Sequence, residues 1–181
     1  MKIVGLYAGS FNPFTNGHLA VVEEASRFFD ELYVCIAVNA EKVQSDNKSV
    51  NEKIKAINDS IVEAGIPNVK VIYHSGMIAN LCKKLGVEYL VRGLRNTSDY
   101  MYEENIAKIN SELNPTLKTV YFRSNNEVIS SSLVRELLKY NEDISKYVPT
   151  PIYNLIREEQ ILKGCKKWVK KIKIVDGLSL F

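Results

Sequence analysis

Residues 9 to 18, Gly-Ser-Phe-Asn-Pro-Phe-Thr-Asn-Gly-His, decide how the rest of this chain is read. Ahead of them, Ile3-Val4-Gly5-Leu6-Tyr7-Ala8 reads as a first strand; behind them, Leu19-Ala20-Val21-Val22-Glu23-Glu24-Ala25 reads as a helix. A buried strand, a Gly/Asn/Pro turn and a helix opening with Gly17-His18 make a phosphate site. The first-turn N–H groups of a helix have no intrahelical partner and carry the positive end of its dipole. The imidazole of His18 sits where those groups point. An imidazole beside anion-binding backbone suggests chemistry on a phosphoryl group.

Outward from that turn, short apolar runs alternate with longer segments of helical period. Besides the first, strands are expected at Leu32 to Val38, Val69 to Tyr73, Tyr89 to Arg92 and Lys118 to Phe122. Helices are expected near 17–29, 50–64, 77–85, 99–113, 131–139 and 151–163. Ser49-x-x-Glu52 reads as a capping box, Gly65 and Gly86 suit positions just past helix ends, and Thr150-Pro151 reads as an N-cap followed by Pro. Strands alternating with helices imply an α/β fold, a Rossmann-like doubly wound parallel sheet with right-handed crossovers. In such sheets ligands bind beyond the carboxyl ends of the strands. That rule gathers the loops 9–17, 39–48, 74–77, 92–98 and 123–131 on one rim.

Composition narrows the partners. With 181 residues, 46% apolar and 25% charged, the chain suits one soluble domain. The net charge of +3 conceals an asymmetry: residues 163–181 hold six lysines against one aspartate, leaving the preceding 162 residues at −2. The main body, expected over 1–162, is therefore no generic polyanion binder, so no nucleic acid is expected. There is no apolar run of membrane-spanning length and no signal peptide, so no membrane association and a cytoplasmic address are expected. Three scattered cysteines and two histidines argue against a disulfide framework or a protein metal cage.

Neither a Gly-x-Gly-x-x-Gly after the first strand nor a P-loop is present. The chain carries instead Thr15-Asn16-Gly17-His18, the (His/Thr)-x-Gly-His motif. It also carries Leu90-Val91-Arg92-Gly93-Leu94-Arg95-Asn96, running on to Asp99-Tyr100-Met101-Tyr102-Glu103, and Ile129-Ser130-Ser131-Ser132-Leu133-Val134-Arg135-Glu136. In these segments, from about residue 3 to 160, the chain resembles the phosphopantetheine adenylyltransferase family of nucleotidyltransferases.

The resemblance implies transfer of the adenylyl group of ATP to 4′-phosphopantetheine, giving dephospho-coenzyme A and pyrophosphate by in-line attack without a covalent intermediate. It also implies Mg²⁺, carried mostly by phosphate oxygens, and a hexamer. The attacking phosphate is already an anion, so catalysis reduces to positioning two anions and neutralising charge at the α-phosphate. By the resemblance His18 would donate to the α-phosphoryl oxygens, and Lys42 would bridge the two reacting phosphates. Ser10, where the family usually has threonine, would hold the incoming phosphate. Gly9, Ser10, Phe11, Gly17 and His18 would also make the first loop's contacts to ATP. Arg92 would lie on the phosphopantetheine side, while Gly93, Leu94 and Arg95 would meet ATP. Ile129, Ser130, Ser131 and Ser132 would take the β- and γ-phosphates, Glu103 would contact the nucleotide, and Ile78 would line the pantetheine channel.

Other readings stay open on the residues alone. Arg92 and Arg95 could be surface arginines pairing with Asp99 and Glu103; Ser130 could be a simple N-cap; Ile78 could be ordinary core. His74 is read as structural. Asn12 stands where the family commonly has aspartate, and Gly9-Ser-Phe-Asn-Pro13 also resembles nicotinate mononucleotide adenylyltransferases. Residues 43–50 depart from the usual loop as well. The alternatives are therefore the same chemistry on another phosphate acceptor such as nicotinate mononucleotide, or a catalytically silent nucleotide- or coenzyme A-binding paralogue. The basic C-terminal extension, 163–181, could form an amphipathic helix or an edge strand, and packing of its apolar stripe on the body is favoured.

Overall fold

The computed structural model describes residues 2–38, 47–123 and 129–162. Each apolar run becomes a strand: β1 (Val4–Gly9), β2 (Glu31–Val38), β3 (Val69–Ser75), β4 (Tyr89–Leu94) and β5 (Lys118–Arg123). The helices are α1 (Asn16–Ser26), α2 (Asn47–Glu63), α3 (Ile78–Leu85), α4 (Thr97–Leu113) and α5 (Ser131–Lys139). A further helix, α6, covers 150–162, where the described chain ends. The five strands form one sheet in the order β3-β2-β1-β4-β5, with every pairing parallel.

Burial follows from this order. β1 lies at the centre, so its side chains are covered on both faces, as the unbroken apolar run requires. Leu6 and Ala8 face one way, against Cys35, Ala79, Cys82 and Leu90; Tyr7 faces the other, with Val34, Ile36 and Val91. The first side is closed by α3. The second is closed by α1, α2, α5 and α6 through Val22, Ile57, Val134 and Ile152. Burial pushes the Cys35 and Cys82 thiols up, to about 12 and about 11, so neither is a nucleophile at neutral pH.

Helix ends differ from the local reading in three places. α1 stops at Ser26 rather than near 29, because Phe29 turns into the core and Asn68 Nδ2 donates to the Ser26 and Phe29 carbonyls, at 2.8 Å each. α2 begins at Asn47, so Ser49 lies inside it rather than capping it. In α6 the Tyr153 amide already bonds to the Pro149 carbonyl at 2.9 Å, which puts Thr150 in the first turn. Gly86 does close α3 in the left-handed conformation, at φ 67°.

The chain builds outward from β1 to β2 and β3, then returns to lay β4 and β5 on the other side. The direction reverses between β1 and β4, and a doubly wound sheet binds its ligand at the carboxyl ends flanking that switch. The loop 10–15 leaves β1 there, and Arg92 to Arg95 close β4 there.

Candidate active site

Loop 10–15 is tightly determined. Phe11 takes a left-handed φ of 44° yet is 2% exposed. Its ring lies over Gly9, where an added Cβ would stand 2.7 Å from it. The Asn12–Pro13 peptide is cis. From α5, Ser131 Oγ donates to the Pro13 carbonyl at 2.8 Å and Arg135 Nη1 to the Asn12 carbonyl at 2.6 Å. The Asn16 amide donates to the Tyr147 carbonyl at 2.9 Å.

The start of α1 sets the imidazole. Thr15 is the N-cap, and its hydroxyl accepts from the His18 amide. The Thr15 amide in turn donates to His18 Nδ1 at 3.0 Å, with the Thr15 hydroxyl also 3.0 Å from that nitrogen. This is a capping box whose third member is an imidazole instead of the usual Glu or Gln. A backbone N–H can only donate, so Nδ1 must accept and the ring proton belongs on Nε2. Phe11 meets the ring edge to face at 5.1 Å, and Phe14 lies at 5.5 Å. Burial, reinforced by the Arg95 charge, lowers the His18 pKa to about 4. At neutral pH His18 is a neutral Nε2–H donor.

Across the switch point, β4 and α4 supply two cations, each already paired. Arg92 grips Glu103 through Nε (2.5 Å) and Nη2 (2.6 Å), and its Nη1 donates to the Ala8 carbonyl at 2.8 Å. Arg95 pairs with Asp99 through Nε (2.9 Å) and Nη2 (3.1 Å). Asn96 caps α4 by accepting from the Asp99 amide at 2.9 Å. Gly93 lets β4 approach α1: a Cβ there would stand 2.9 Å from Val21 Cγ2 and 3.5 Å from the Tyr7 hydroxyl. Tyr7 is 6% exposed, and burial raises its pKa far above the ordinary phenol value.

These elements enclose one cavity of about 380 Å³. Of the residues expected from the sequence, Gly9, Ser10, Phe11, Gly17, His18, Arg92, Gly93, Arg95, Glu103, Ile129, Ser130, Ser131 and Ser132 all line it. Leu94 and Ile78 do not; Ile78 opens α3 and packs with the Leu6 cluster on the opposite face of the sheet. Lys42 lies outside the described residues, as does the extension 163–181. The pairing of Arg92 and Arg95 with Glu103 and Asp99, set out as an alternative to a site role, is present within the cavity wall itself. Ser130 is likewise both an N-cap, accepting from the Leu133 amide at 3.1 Å, and a wall residue. Tyr7, Ala8, Thr15, Val21, Asp99 and Tyr102 also line the cavity and were not singled out as site residues. Thr15 had a signal, as first letter of the motif; Tyr7 was hidden in an apolar strand.

Two guanidinium groups and two carboxylates leave the described side chains of this cavity near electrical balance. Its attraction for anions therefore rests on the first-turn amides of α5 and on that of Gly17, since the Asn16 and His18 amides are already bonded, with the arginines available once a phosphate displaces their carboxylates. Among the described residues no group of three or more His, Cys, Asp or Glu could hold a metal ion.

A parallel sheet with its cavity at the switch point, a neutral imidazole in the first turn of α1 and helix N-termini in its wall suit a site for phosphate groups. The family model described as cytidylyltransferase-like matches residues 6–137. A phosphopantetheine adenylyltransferase of Streptococcus pneumoniae (strain CGSP14) is 43% identical over 160 residues, covering 87% of this chain and 96% of that protein. One of Lachnoclostridium phytofermentans is 40% identical, covering 88% and 96%. The chain belongs to the cytidylyltransferase-like family and, within it, to the phosphopantetheine adenylyltransferases. A crystal structure from Vibrio parahaemolyticus described as a nicotinate-nucleotide adenylyltransferase shares the fold, with TM-score 0.66, 20% identity and coverage of 86% and 98%.

Proposed function

We propose that this enzyme transfers the adenylyl group of ATP to 4′-phosphopantetheine, releasing dephospho-coenzyme A and pyrophosphate, a step of coenzyme A biosynthesis. The single observation that carries the reading is the fixed Nε2–H of His18 at the mouth of α1, beside the open amides of α5, in a chain of this family. The acceptor phosphate attacks the α-phosphorus in line with the departing pyrophosphate, so no protein nucleophile or strong base is required. His18 Nε2–H donates to the α-phosphoryl oxygens as negative charge gathers there. Ser130, Ser131 and Ser132 receive the β- and γ-phosphates at the start of α5. Arg95 exchanges Asp99 for phosphate oxygen, Ser10 and Arg92 receive the acceptor phosphate, and Lys42 bridges the two reacting groups.

Mg²⁺ would partly neutralise the triphosphate. The carboxylates in the cavity, Asp99 and Glu103, are held by arginines, so the ion would ride on phosphate oxygens and water rather than in a protein cage. A hexamer and a cytoplasmic setting complete the proposal. Exposed Met101, Tyr102, Ile109 and Leu113 on α4 favour assembly, and no described helix is long and apolar enough to cross a membrane. Pyrophosphate release from ATP and Mg²⁺ with a panel of acceptors tests the reaction. Turnover with 4′-phosphopantetheine is expected. Turnover only with nicotinate mononucleotide, or nucleotide binding without turnover, contradicts it. Light scattering expects six copies of the 20.5 kDa chain.

A further inference from the structure

The loop 10–15 is strapped from two sides, and only one strap comes from outside the motifs already described. Lys53, on the second turn of α2, reaches across to donate from Nζ to the Ser10 carbonyl at 3.1 Å. Ser10 and Lys53 lie 43 positions apart, on the first loop of the rim and on the helix that follows β2. Ser10 lines the cavity and is the residue to which the reading above gives the acceptor phosphate; Lys53 itself stands outside the cavity wall. The other strap, Arg135 to the Asn12 carbonyl, comes from α5, where the same guanidinium also donates to the Ser132 hydroxyl.

A charge-assisted bond to a loop carbonyl does two things at once. It fixes the plane of the Ser10–Phe11 peptide, and with it the direction in which the Ser10 hydroxyl faces the cavity. It also sets a positive charge 3.1 Å from the carbonyl oxygen of a residue that lines the cavity. Burial pushes the Lys53 ammonium down from the ordinary lysine value, while Glu159 on α6 pulls it up; the side chain is partly shielded from water. The stem of Lys53 belongs to a long regular helix, which makes it a firmer strut than a loop lysine would be.

We propose that Lys53 is a positioning residue for the acceptor phosphate, acting through its bond to the Ser10 carbonyl to hold the Ser10 hydroxyl toward the incoming anion. The proposal rests on the adenylyl-transfer reading above and extends it to a helix that reading does not use. It separates the two substrates: Lys53 governs the acceptor and leaves ATP alone.

The test measures KM for 4′-phosphopantetheine and for ATP separately, by pyrophosphate release, in wild type, Lys53→Met and Lys53→Arg. Lys53→Met keeps the apolar stem and removes the charge; since the side chain is only half-buried on a helix surface, its thermal midpoint should stay near wild type. The expected result is a rise of about tenfold in acceptor KM, the size one charge-assisted hydrogen bond supports, with ATP KM within about twofold of wild type. Lys53→Arg, which keeps a charged donor, should recover most of the loss. An unchanged acceptor KM in Lys53→Met, or equal rises in both KM values, overturns the proposal. A wild-type protein that turns over no 4′-phosphopantetheine overturns the functional reading itself, and this inference with it.

Discussion

His18 and Arg95 border the same cavity, but the imidazole is held by neutral bonds within one helical turn, whereas the guanidinium is held by a carboxylate. At the α1 end the Thr15 amide and hydroxyl engage Nδ1, aromatic rings enclose the ring faces, and Nε2 is left to donate with nothing to displace. At the α4 end, an arriving phosphate competes with Asp99 for the same donors, and with Glu103 for those of Arg92. A group held in advance contributes to the transition state without reorganisation. A group held by a rival anion contributes to binding only the difference between two charge-assisted partners. The first kind of residue should therefore govern kcat and the second KM.

The largest expected effect breaks the α1 side. His18→Ala should lower kcat by about 100- to 1,000-fold, or about 2.7–4 kcal/mol, as removal of one preorganised donor does. ATP KM should move far less, and steady-state pyrophosphate release reads both. On the α4 side, Arg95→Ala should raise ATP KM by about 10- to 30-fold, the range of one or two charged hydrogen bonds discounted for the carboxylate it leaves. Its kcat should fall by less than that of His18→Ala. Reversal of this pattern would dissolve the distinction between the two ends.

The pH profile sharpens it further. With its pKa near 4 in the free protein, His18 stays neutral across the physiological range, so wild type and His18→Gln should share the shape of their kcat/KM profile between pH 5.5 and 8, any inflection there coming from the acceptor phosphate. The same shift has a sign for stability. The unfolded chain binds a proton at this site near pH 6.5 and the folded chain only near 4, so His18 makes stability rise with pH across that window. In His18→Gln, chemical denaturation should find that rise flattened.

The smallest effect lies far from the cavity. At the amino end of β2, Glu31 accepts from Lys2 and pairs with Lys70 at 2.5 Å; bonds from Lys2, Lys70 and Tyr33 lower its pKa to about 2. Its contribution is fully present above the unfolded carboxylate value and disappears as pH falls toward 2. Glu31→Gln should lower the melting temperature slightly at pH 7, by an amount that shrinks toward pH 3, with activity unchanged.

The contrast between the two ends also explains what could be read in advance. The strands were legible because a parallel sheet covered on both faces demands unbroken apolar runs, and the loop 9–18 because one turn carries the whole motif. The Arg95–Asp99 pair was visible as an i,i+4 spacing. Phe28-Phe29 continue the helical apolar period past the true end of α1, while Phe29 is drawn away by packing over Gly5 on the Tyr7 face of the sheet. Ser49-x-x-Glu52 has the letters of a capping box, yet the working box is Thr15–His18, whose third member is a histidine that no local rule selects. Ile78 is tied to the channel by likeness alone; the structure sets it at the start of α3, outside this cavity and packed with the Leu6 cluster. The Lys53–Ser10 bond leaves no local trace, because only the packing of α2 beside β2 and β3 brings the two together.

The most direct measurement is the structure of the protein with a non-hydrolysable ATP analogue bound. The triphosphate should lie across the first turns of α1 and α5, with His18 Nε2 within hydrogen-bond reach of an α-phosphate oxygen and Arg95 turned from Asp99 toward phosphate. A nucleotide seated elsewhere, or phosphates that leave His18 Nε2 without contact, would contradict the account.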